Sequence, residues 1–404
     1  MRIKTIIAAS LLFTSGTAMA QINANLLRYP DVSKTSIVFT YANDIWIVPK
    51  TGGTATRLTT PKGEERYAKF SPDGKNIAFS GNYDGNMDVY VMPVTGGIPV
   101  RLTSHGNSDR VIDWTTDGKS VVFASGRNSG KARFSQFYQV KATGGPTTKM
   151  PFEYAEYGSF NNDGNQMAVV FLSQATRTWK RYQGGMQSGI HIYDLKNNQS
   201  KKIAADKYNG QEYPMWYGEN IYYVANHGKE EKMNLWSYHV ASGKVTQLTN
   251  YKHEDISFPS LGDGEIVFQK GADLHIYDIS SKTDKAVKIN IVTDLSNLKP
   301  RTESVANFLE NLSISPDGNR VLVEARGDLF SVPAKEGFIK TLTATSGVAE
   351  RYPAWAPNAR SVAYWSDITG EYELYVKDMT SDPAAKKITN LGPGYKHNLY
   401  WSPD

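Results

Sequence analysis

A turn phrase that recurs along the chain limits its possible folds more than any other feature of the sequence. At residues 70–79 the phrase reads FSPDGKNIAF, in which Ser-Pro-Asp-Gly supplies turn residues between two apolar runs suited to β-strands. A period of about 40–50 residues is typical of folds in which each repeat forms one small sheet. Further copies, some of them degenerate, are WTTDGKSVVF (114–123), FNNDGNQMAV (160–169), WYGENIYYV (216–224), LGDGEIVF (261–268), ISPDGNRVLV (314–323), WAPNARSVAY (355–364) and the final WSPD (401–404).

A second phrase follows each copy of the first. DIWIVPKTGGTATRLT (44–59) and DVYVMPVTGGIPVRLT (88–103) are nearly the same, and both contain an alternating strand, a glycine turn and another short strand. Together the two phrases predict four antiparallel strands in each repeat. A sheet this small cannot bury both of its faces alone, so neighbouring sheets must pack side by side around an axis. The chain is therefore predicted to be an all-β protein built from β-propeller blades.

The spacing of the repeats predicts two propeller domains. Residues 21–300 are expected to form a six-bladed β-propeller of four-stranded antiparallel blades, and 309–404 the first two blades of a second, truncated propeller. The segment NLKPRTESVANF (297–308) interrupts the rhythm, which indicates a linker over 301–308 and argues against the alternative of one eight-bladed ring. Because the first blade supplies four strands of its own, we expect no strand exchange where the first ring closes.

The first twenty residues have the pattern of a secretory signal peptide. Arg2 and Lys4 precede a short apolar run, which ends in Ala18-Met19-Ala20. The run is too short for the alternative of a membrane anchor. We therefore expect residues 1–20 to be a signal peptide and the mature protein to be periplasmic or secreted.

Composition and missing motifs exclude several classes of function. The chain has no cysteine and a formal net charge of +5 without a basic stripe, so neither disulfides nor a nucleic-acid partner is expected. No nucleophile elbow, metalloprotease helix or phosphate-binding loop is present. The segment DGNMD (84–88) begins like a calcium loop, but Val89 and Thr95 stand where an EF-hand needs glycine and glutamate. We predict no catalytic residue, no metal site, no cofactor and no membrane span in this chain.

An enlarged loop in blade four resembles a segment of the tricorn proteases. Within 172–195, Trp179, Tyr182, Gly184 and Gly185 lead into IHIYDL and look like the family segment W-K-x-Y-R-G-G-T-R-G-x-I-W. The opening NLLRYPDVSKTSIVFTYANDIWIV and the later SISPDGNRVLVEARGDLFSVP are also similar to the starts of that family's two propellers.

The resemblance implies a non-catalytic part of a serine peptidase that degrades oligopeptides. In tricorn-like proteins two propellers precede a helical part, a PDZ domain and the catalytic domain, so the catalytic serine, histidine and glutamate lie beyond this chain. The propellers of such proteins gate substrate uptake or product exit within a hexamer. The implied partners are peptides, the remaining PDZ and catalytic domains of the same polypeptide, and further copies in a homo-oligomer. Family members without a signal peptide are cytoplasmic.

The enlarged loop also carries the candidate contact residues. The sequence departs from the family at Gln183 and Gln187, where arginines are usual. The alternative for this stretch is a solvated basic loop with its tryptophan packed on the blade. The residues proposed to contact substrate or a neighbouring subunit are Arg177, Trp179, Lys180, Arg181 and Tyr182.

Two other functions remain open at this point. A periplasmic Tol-type propeller would be a protein-binding module, with one ring and often a preceding α/β domain. The propeller of a prolyl-oligopeptidase-like hydrolase would continue into an α/β-hydrolase domain with a G-x-S-x-G elbow. This sequence shows neither the single ring nor the preceding α/β domain of the Tol type, and sequence beyond Asp404 would distinguish the hydrolase alternative.

Overall fold

The protein is all-β, as predicted. The computed structural model describes residues 21–60, 62–130, 134–178, 182, 184–203, 210–227, 231–293, 304–381 and 383–403. Within these ranges the only helical element is a single 3-10 turn, Ala306–Phe308, and no helix is long and apolar enough to cross a lipid bilayer. The chain divides into two compact units between residues 297 and 298.

The first unit contains six sheets, each with four consecutive strands that pair in antiparallel fashion in chain order, and two further strands extend the first sheet. After β1 (Gln21–Asn23), blade one contains β2 (Arg28–Val32), β3 (Ser36–Tyr41), β4 (Asp44–Pro49) and β5 (Gly53–Arg57). Blade two contains β6 (Glu65–Phe70), β7 (Asn76–Gly81), β8 (Asp88–Pro93) and β9 (Val100–Arg101). Blade three contains β10 (Asp109–Trp114), β11 (Ser120–Ser125), β12 (Gln136–Lys141) and β13 (Thr148–Lys149).

The remaining blades of this unit repeat the arrangement. Blade four contains β14 (Tyr157–Phe160), β15 (Gln166–Val170), β16 (Ile190–Asp194) and β17 (Gln199–Lys202). Blade five contains β18 (Gln211–Tyr217), β19 (Asn220–Ala225), β20 (Asn234–His239) and β21 (Val245–Gln247). Blade six contains β22 (Ile256–Gly262), β23 (Glu265–Lys270), β24 (Asp273–Asp278) and β25 (Thr283–Val287), and β26 (Ile289–Val292) follows it.

The hydrophobic core of the first unit lies between the blades. Six clusters of buried side chains each join one blade to the next. The sixth cluster joins blade six to blade one and includes Val267 and Leu274 from the former and Val32 and Phe39 from the latter. The ring therefore closes at six blades, as the repeat predicted.

The expectation that the ring closes without strand exchange is wrong. Blade one does own four strands, but β26 pairs with the outer edge of β5 in parallel, and β1 pairs with β26 in turn. An unpaired outer strand exposes a row of backbone donors and acceptors, and β26 covers it. Ile289 and Ile291 also bury their side chains in the cluster between blades six and one. The chain that follows blade six thus fastens the last blade to the first.

The absence of a side chain at Gly52 allows the chain around Lys288 to lie close to blade one, and substitution of Gly52 tests the importance of this contact. A Cβ at Gly52 would lie 2.4 Å from the carbonyl oxygen of Lys288, whereas nothing lies within 4 Å of a Cβ at Gly96. Both glycines have similar left-handed φ angles, 88° and 90°, so alanine strains both backbones by about 1–2 kcal/mol. We expect Gly52→Ala to lower the free energy of unfolding by at least about 1 kcal/mol more than Gly96→Ala, because only Gly52→Ala adds a clash. Urea unfolding measures the difference, and equal losses would contradict this role of Gly52.

The second unit contains two four-stranded sheets of the same kind. One has β27 (Leu309–Ile314), β28 (Arg320–Ala325), β29 (Asp328–Pro333) and β30 (Lys340–Thr341), and the other has β31 (Glu350–Trp355), β32 (Ser361–Ser366), β33 (Glu373–Asp378) and β34 (Lys386–Lys387). A core that includes Leu322, Leu329, Val362 and Tyr364 holds the two sheets together.

Candidate functional site

The innermost strands of the six blades line a cavity of about 810 Å³ in the first unit. Each blade contributes one side chain to a ring of contacting groups at this cavity. We call this ring the constriction. Its members, in blade order, are Tyr29, Tyr67, Arg110, Tyr157, Tyr213 and Phe258.

Five of the six members are aromatic, and they contact one another in sequence. The ring centroid of Tyr29 lies 4.4 Å from that of Tyr67 and 4.5 Å from that of Phe258. The centroid of Tyr213 lies 6.0 Å from that of Phe258 and 4.5 Å from that of Tyr157. Six groups about 5 Å apart around a ring place opposite members about 10 Å apart between centres. An extended peptide needs about 5 by 10 Å for its own packing, so these side chains must move before one can pass.

Arg110 fills the remaining position, between two tyrosines. Its guanidinium carbon lies 4.3 Å from the ring centroid of Tyr157 and 5.7 Å from that of Tyr67. Its Nη2 donates a hydrogen bond of 2.6 Å to the carbonyl oxygen of Glu156, while Nη1 is covered and has no acceptor among the described residues. A guanidinium stays protonated at any ordinary pH, so the constriction carries a fixed positive charge.

Four of the aromatic side chains that line the cavity lie on strained backbone. Tyr29, Tyr67, Tyr213 and Phe258 have φ angles of 50°, 57°, 52° and 49°. Each lies where the pairing register of its strand shifts, as at a β-bulge. The left-handed conformation costs a residue other than glycine about 1–2 kcal/mol. The same strained conformation recurs at the same position in four blades of the first unit, and at Tyr352 (φ 54°) in the second unit. It is a repeated feature of the blade and the kind of outlier that points to function.

Sequence reasoning missed the constriction, although the chain carries a signal for it. The residues at the shifted positions read RYPD (28–31), RYAK (66–69), EYPM (212–215) and SFPS (257–260). An aromatic residue stands second in each of these four tetrads. The turn phrase is the stronger sequence signal because it is longer and contains glycine and proline.

Polar side chains line the cavity beside the constriction. Lys69 Nζ donates to Ser260 Oγ and lies 3.4 Å from Asp31 Oδ1, and Ser260 donates in turn to Asp31. Asp113 accepts a 2.8 Å hydrogen bond from the backbone N–H of Trp114. Burial raises the pKa of Asp113 to about 6, although the nearby Lys69 lowers it. The wall thus offers charged and hydrogen-bonding groups suited to the polar backbone of a peptide.

Two of the candidate contact residues of the blade-four loop are described, and Trp179, Lys180 and Arg181 lie outside the described residues. Arg177 is largely buried, and its Nη2 donates a 2.8 Å hydrogen bond to Glu156 Oε1. Tyr182 is 41% exposed, and its carbonyl oxygen accepts a hydrogen bond of 3.2 Å from Gln174 Nε2. Arg177 is therefore engaged in an ion pair, and neither residue lines the cavity. Their contact with substrate or with another subunit remains a prediction.

The same loop is tied to the constriction through a buried glutamate. Glu212, the residue before Tyr213, accepts hydrogen bonds from Ser173 Oγ at 2.7 Å and from the backbone N–H of Gln174 at 2.6 Å. Arg177 holds Glu156, the residue before Tyr157, in the same way. The enlarged loop therefore fixes the backbone that leads into two constriction residues.

Glu212 predicts a measurable pH dependence of stability. Burial raises its pKa from 4.5 to about 7, with the two hydrogen bonds opposing the shift. Because the folded-state pKa is the higher one, this carboxyl stabilises the fold fully below about pH 4.5, and that contribution is lost as the pH rises through 7. The shift corresponds to about 3 kcal/mol. We expect Glu212→Gln to flatten the dependence of unfolding free energy on pH between 4.5 and 7.

Urea unfolding at several pH values tests this prediction. Glu65 has a pKa raised by burial to about 7 as well, so the variant retains part of the slope. Glu219, whose side chain is 84% exposed, supplies the control, and Glu219→Gln is expected to leave the slope unchanged. If Glu212→Gln and Glu219→Gln gave the same slope, burial would not control the titration of Glu212.

The segment that begins like a calcium loop forms ion pairs with an arginine. Arg101 lies 2.8 Å from Asp84 Oδ2 and 2.5 Å from Asp88 Oδ2. Asn86 donates to the carbonyl oxygen of His105 at 2.6 Å. These contacts are those of a polar loop between strands. Within the described ranges no three histidine, aspartate or glutamate side chains converge as a metal site.

Comparison with known proteins relates the chain to one family. The family profile described as the tricorn protease N-terminal β-propeller domain matches residues 24–283. The tricorn protease homolog of Saccharolobus solfataricus is 25% identical over 335 residues, which cover 82% of this chain and 30% of the homolog. Tricorn protease homolog 1 of Streptomyces coelicolor is 25% identical over 375 residues, which cover 91% of this chain and 34% of the homolog.

A solved structure shows the same fold. The crystal structure of the tricorn protease matches with a TM-score of 0.71 at 21% identity, covering 91% of this chain and 36% of that chain. The present chain therefore spans about a third of the length of the curated relatives that it matches.

Proposed function

The chain belongs to the tricorn protease N-terminal β-propeller family, and from this premise we propose that it is the non-catalytic propeller region of a serine peptidase that degrades oligopeptides. In this proposal the channel of the first unit controls substrate uptake or product exit. The two sheets of the second unit begin a second propeller. The remaining partners are the PDZ and catalytic domains of the same polypeptide and further copies in a hexamer. Residues 1–20 direct the protein to the periplasm or beyond.

The constriction is the observation that supports a gating role most strongly. It consists of side chains, and the backbone of the six innermost strands is held by sheet pairing on one side. Side chains can change rotamer far faster than a blade can move. The channel can therefore open without any change in the arrangement of the six blades, which is what a gate requires.

The surroundings of the constriction also suit a peptide. A permanently filled channel would be expected to be apolar, like the clusters between the blades. Here the tyrosines and Arg110 adjoin a cavity whose wall includes Lys69, Asp31 and Asp113. A peptide backbone that leaves water needs such hydrogen-bonding partners along its path.

The proposal predicts that the 404-residue chain hydrolyses no peptide by itself, because the catalytic residues belong to another part of the protein. Incubation of the purified chain with fluorogenic oligopeptides measures this directly. The complete protein, assayed in parallel, is the positive control. Turnover by the chain alone that a serine-directed reagent abolishes would contradict the proposal.

A further inference from the structure

We propose that Arg110 binds a carboxylate of the peptide that enters the constriction, so that the channel selects peptides by their negative charge. This inference rests on the proposed function of the channel. It assigns the binding of a carboxylate to Arg110, because the five aromatic members of the constriction carry no positive charge.

Among the described residues, Arg110 differs from the other enclosed arginines of this unit in forming no ion pair at hydrogen-bond distance, although the carboxylate of Glu156 attracts it at longer range. Arg127 pairs with Asp109 at 2.5 Å, and Arg177 pairs with Glu156 at 2.8 Å. The side-chain contacts that the structure gives Arg110 are the carbonyl oxygen of Glu156 and the faces of two tyrosine rings. The carboxylate of Glu156 is already held by Arg177. An enclosed cation that must share a carboxylate with another arginine is costly to maintain, which is why most such groups have a partner of their own.

The position of Arg110 makes it reachable by a ligand. It lines the 810 Å³ cavity, and its Nη1 has no hydrogen-bond acceptor within the described part of the chain. That nitrogen is covered, and the rings of Tyr67 and Tyr157 contact the guanidinium that carries it. We therefore expect a ligand that reaches Nη1 to displace one of these two rings.

A carboxylate is the peptide group best able to do this. A charge-assisted hydrogen bond between guanidinium and carboxylate, especially a bidentate one, is stronger than a hydrogen bond between neutral groups. The planar guanidinium also matches the two oxygens of a carboxylate in geometry. When Arg110 binds the carboxylate, its contacts with the rings of Tyr67 and Tyr157 are broken, and both rings can then rotate. Recognition of the anion and widening of the constriction are then one event.

The wall of the cavity adds a second cation for the same ligand. Lys69 lies in the cavity wall, and its partner Asp31 is shared with Ser260 and with the backbone N–H of Phe70. Asp31 and Asp113 also lie in the cavity wall, but at the constriction itself an incoming ammonium group meets the like charge of Arg110. The constriction therefore favours a free peptide carboxylate over a blocked one.

Binding of matched peptides to the 404-residue chain tests the proposal. The probes are acetyl-tetraalanine with a free carboxylate and with a terminal amide, titrated by isothermal calorimetry. We expect the free acid to bind at least about tenfold more tightly. A second pair, acetyl-Ala-Glu-Ala-Ala-amide and its glutamine analogue, shows whether a side-chain carboxylate is recognised as well as a terminal one. Equal affinity for acid and amide, or binding of neither, overturns the proposal.

Variants locate the recognition at Arg110. We expect Arg110→Gln to abolish the preference for the acid and Arg110→Lys to retain part of it. Arg66→Gln is the control, because Arg66 lies 5.9 Å from the ring centroid of Tyr29 but already pairs with Glu64. That variant should keep the full preference. A preference that survives in Arg110→Gln would assign the recognition to another group.

Turnover measurements on the complete protein distinguish a failure of this inference from a failure of the proposed function. If removing the rings of Tyr29 and Phe258 speeds turnover of acid and amide substrates equally, the channel is a gate and the role of Arg110 is wrong. If those changes affect no substrate, the gating function itself is wrong, whatever the chain binds.

Discussion

The double variant Tyr29→Gly/Phe258→Gly is expected to increase peptide turnover by the complete protein, most of all for long peptides. The two residues are neighbours in the constriction, with ring centroids 4.5 Å apart, and neither contacts Arg110. Glycine removes both rings and adopts the left-handed conformation without strain. If movement through the constriction limits turnover by about 1.4 kcal/mol, opening it gives about a tenfold increase. Steady-state kinetics with a series of peptide lengths measures the effect.

The control for this variant must change the backbone without changing the channel. Lys282 is exposed, has a φ of 59° and lies in the outer hairpin of blade six. Lys282→Gly relieves the same strain and should leave turnover unchanged at every peptide length. An increase with Lys282→Gly as large as with the double variant would show that strain relief, and not channel width, controls the rate.

Arg127→Met is expected to cause the largest loss of stability, about 3–5 kcal/mol. Arg127 and Asp109 form an ion pair of 2.5 Å whose side chains are 9% and 0% exposed. The guanidinium carbon also lies 5.0 Å from the ring centroids of both Phe123 and Tyr138. Removing one partner of a buried pair leaves the other charge in the interior without compensation. Urea unfolding of the chain measures the loss.

Two further variants establish the cause of that loss. Lys119→Met breaks a surface pair with Asp117, whose side chains are 82% and 53% exposed, and should cost no more than about 1 kcal/mol. Asp109→Asn combined with Arg127→Met removes the stranded charge and should recover part of the stability. Equal losses of unfolding free energy from Arg127→Met and Lys119→Met would mean that the buried ion pair contributes no more to stability than the surface pair.

The blade architecture could be predicted because short, local residue patterns determine it. Turn chemistry such as Ser-Pro-Asp-Gly and alternation of apolar residues act over fewer than ten positions, and the repeat multiplies the signal. The way in which the ring closes was harder to predict, because it depends on the pairing of β26 with β5. These strands are more than 200 residues apart in sequence. The short segment KINIV (288–292) has no partner that its own pattern identifies.

The constriction could be predicted only in part. The tetrads that begin with Arg28 and Arg66 indicate an aromatic residue near each innermost strand, but an aromatic in a strand is usually expected to pack between blades. The bulge and the left-handed φ of Tyr29 and Tyr67 turn those rings toward the channel. That conformation is unfavourable for tyrosine, so local propensity argues against it. Whether Arg110 has a carboxylate of its own depends on which side chains the other blades bring near, and local sequence does not show this.

Photocross-linking from the constriction tests the central claim most directly. Phe258 can be replaced by benzoylphenylalanine, which keeps an aromatic side chain at that position, and the complete protein can then be irradiated during turnover of a labelled peptide. We expect the label to become attached at position 258 and not at position 98, where Ile98 is 90% exposed in a turn of blade two. Attachment at neither position, or equal attachment at both, would contradict the passage of peptides through this channel.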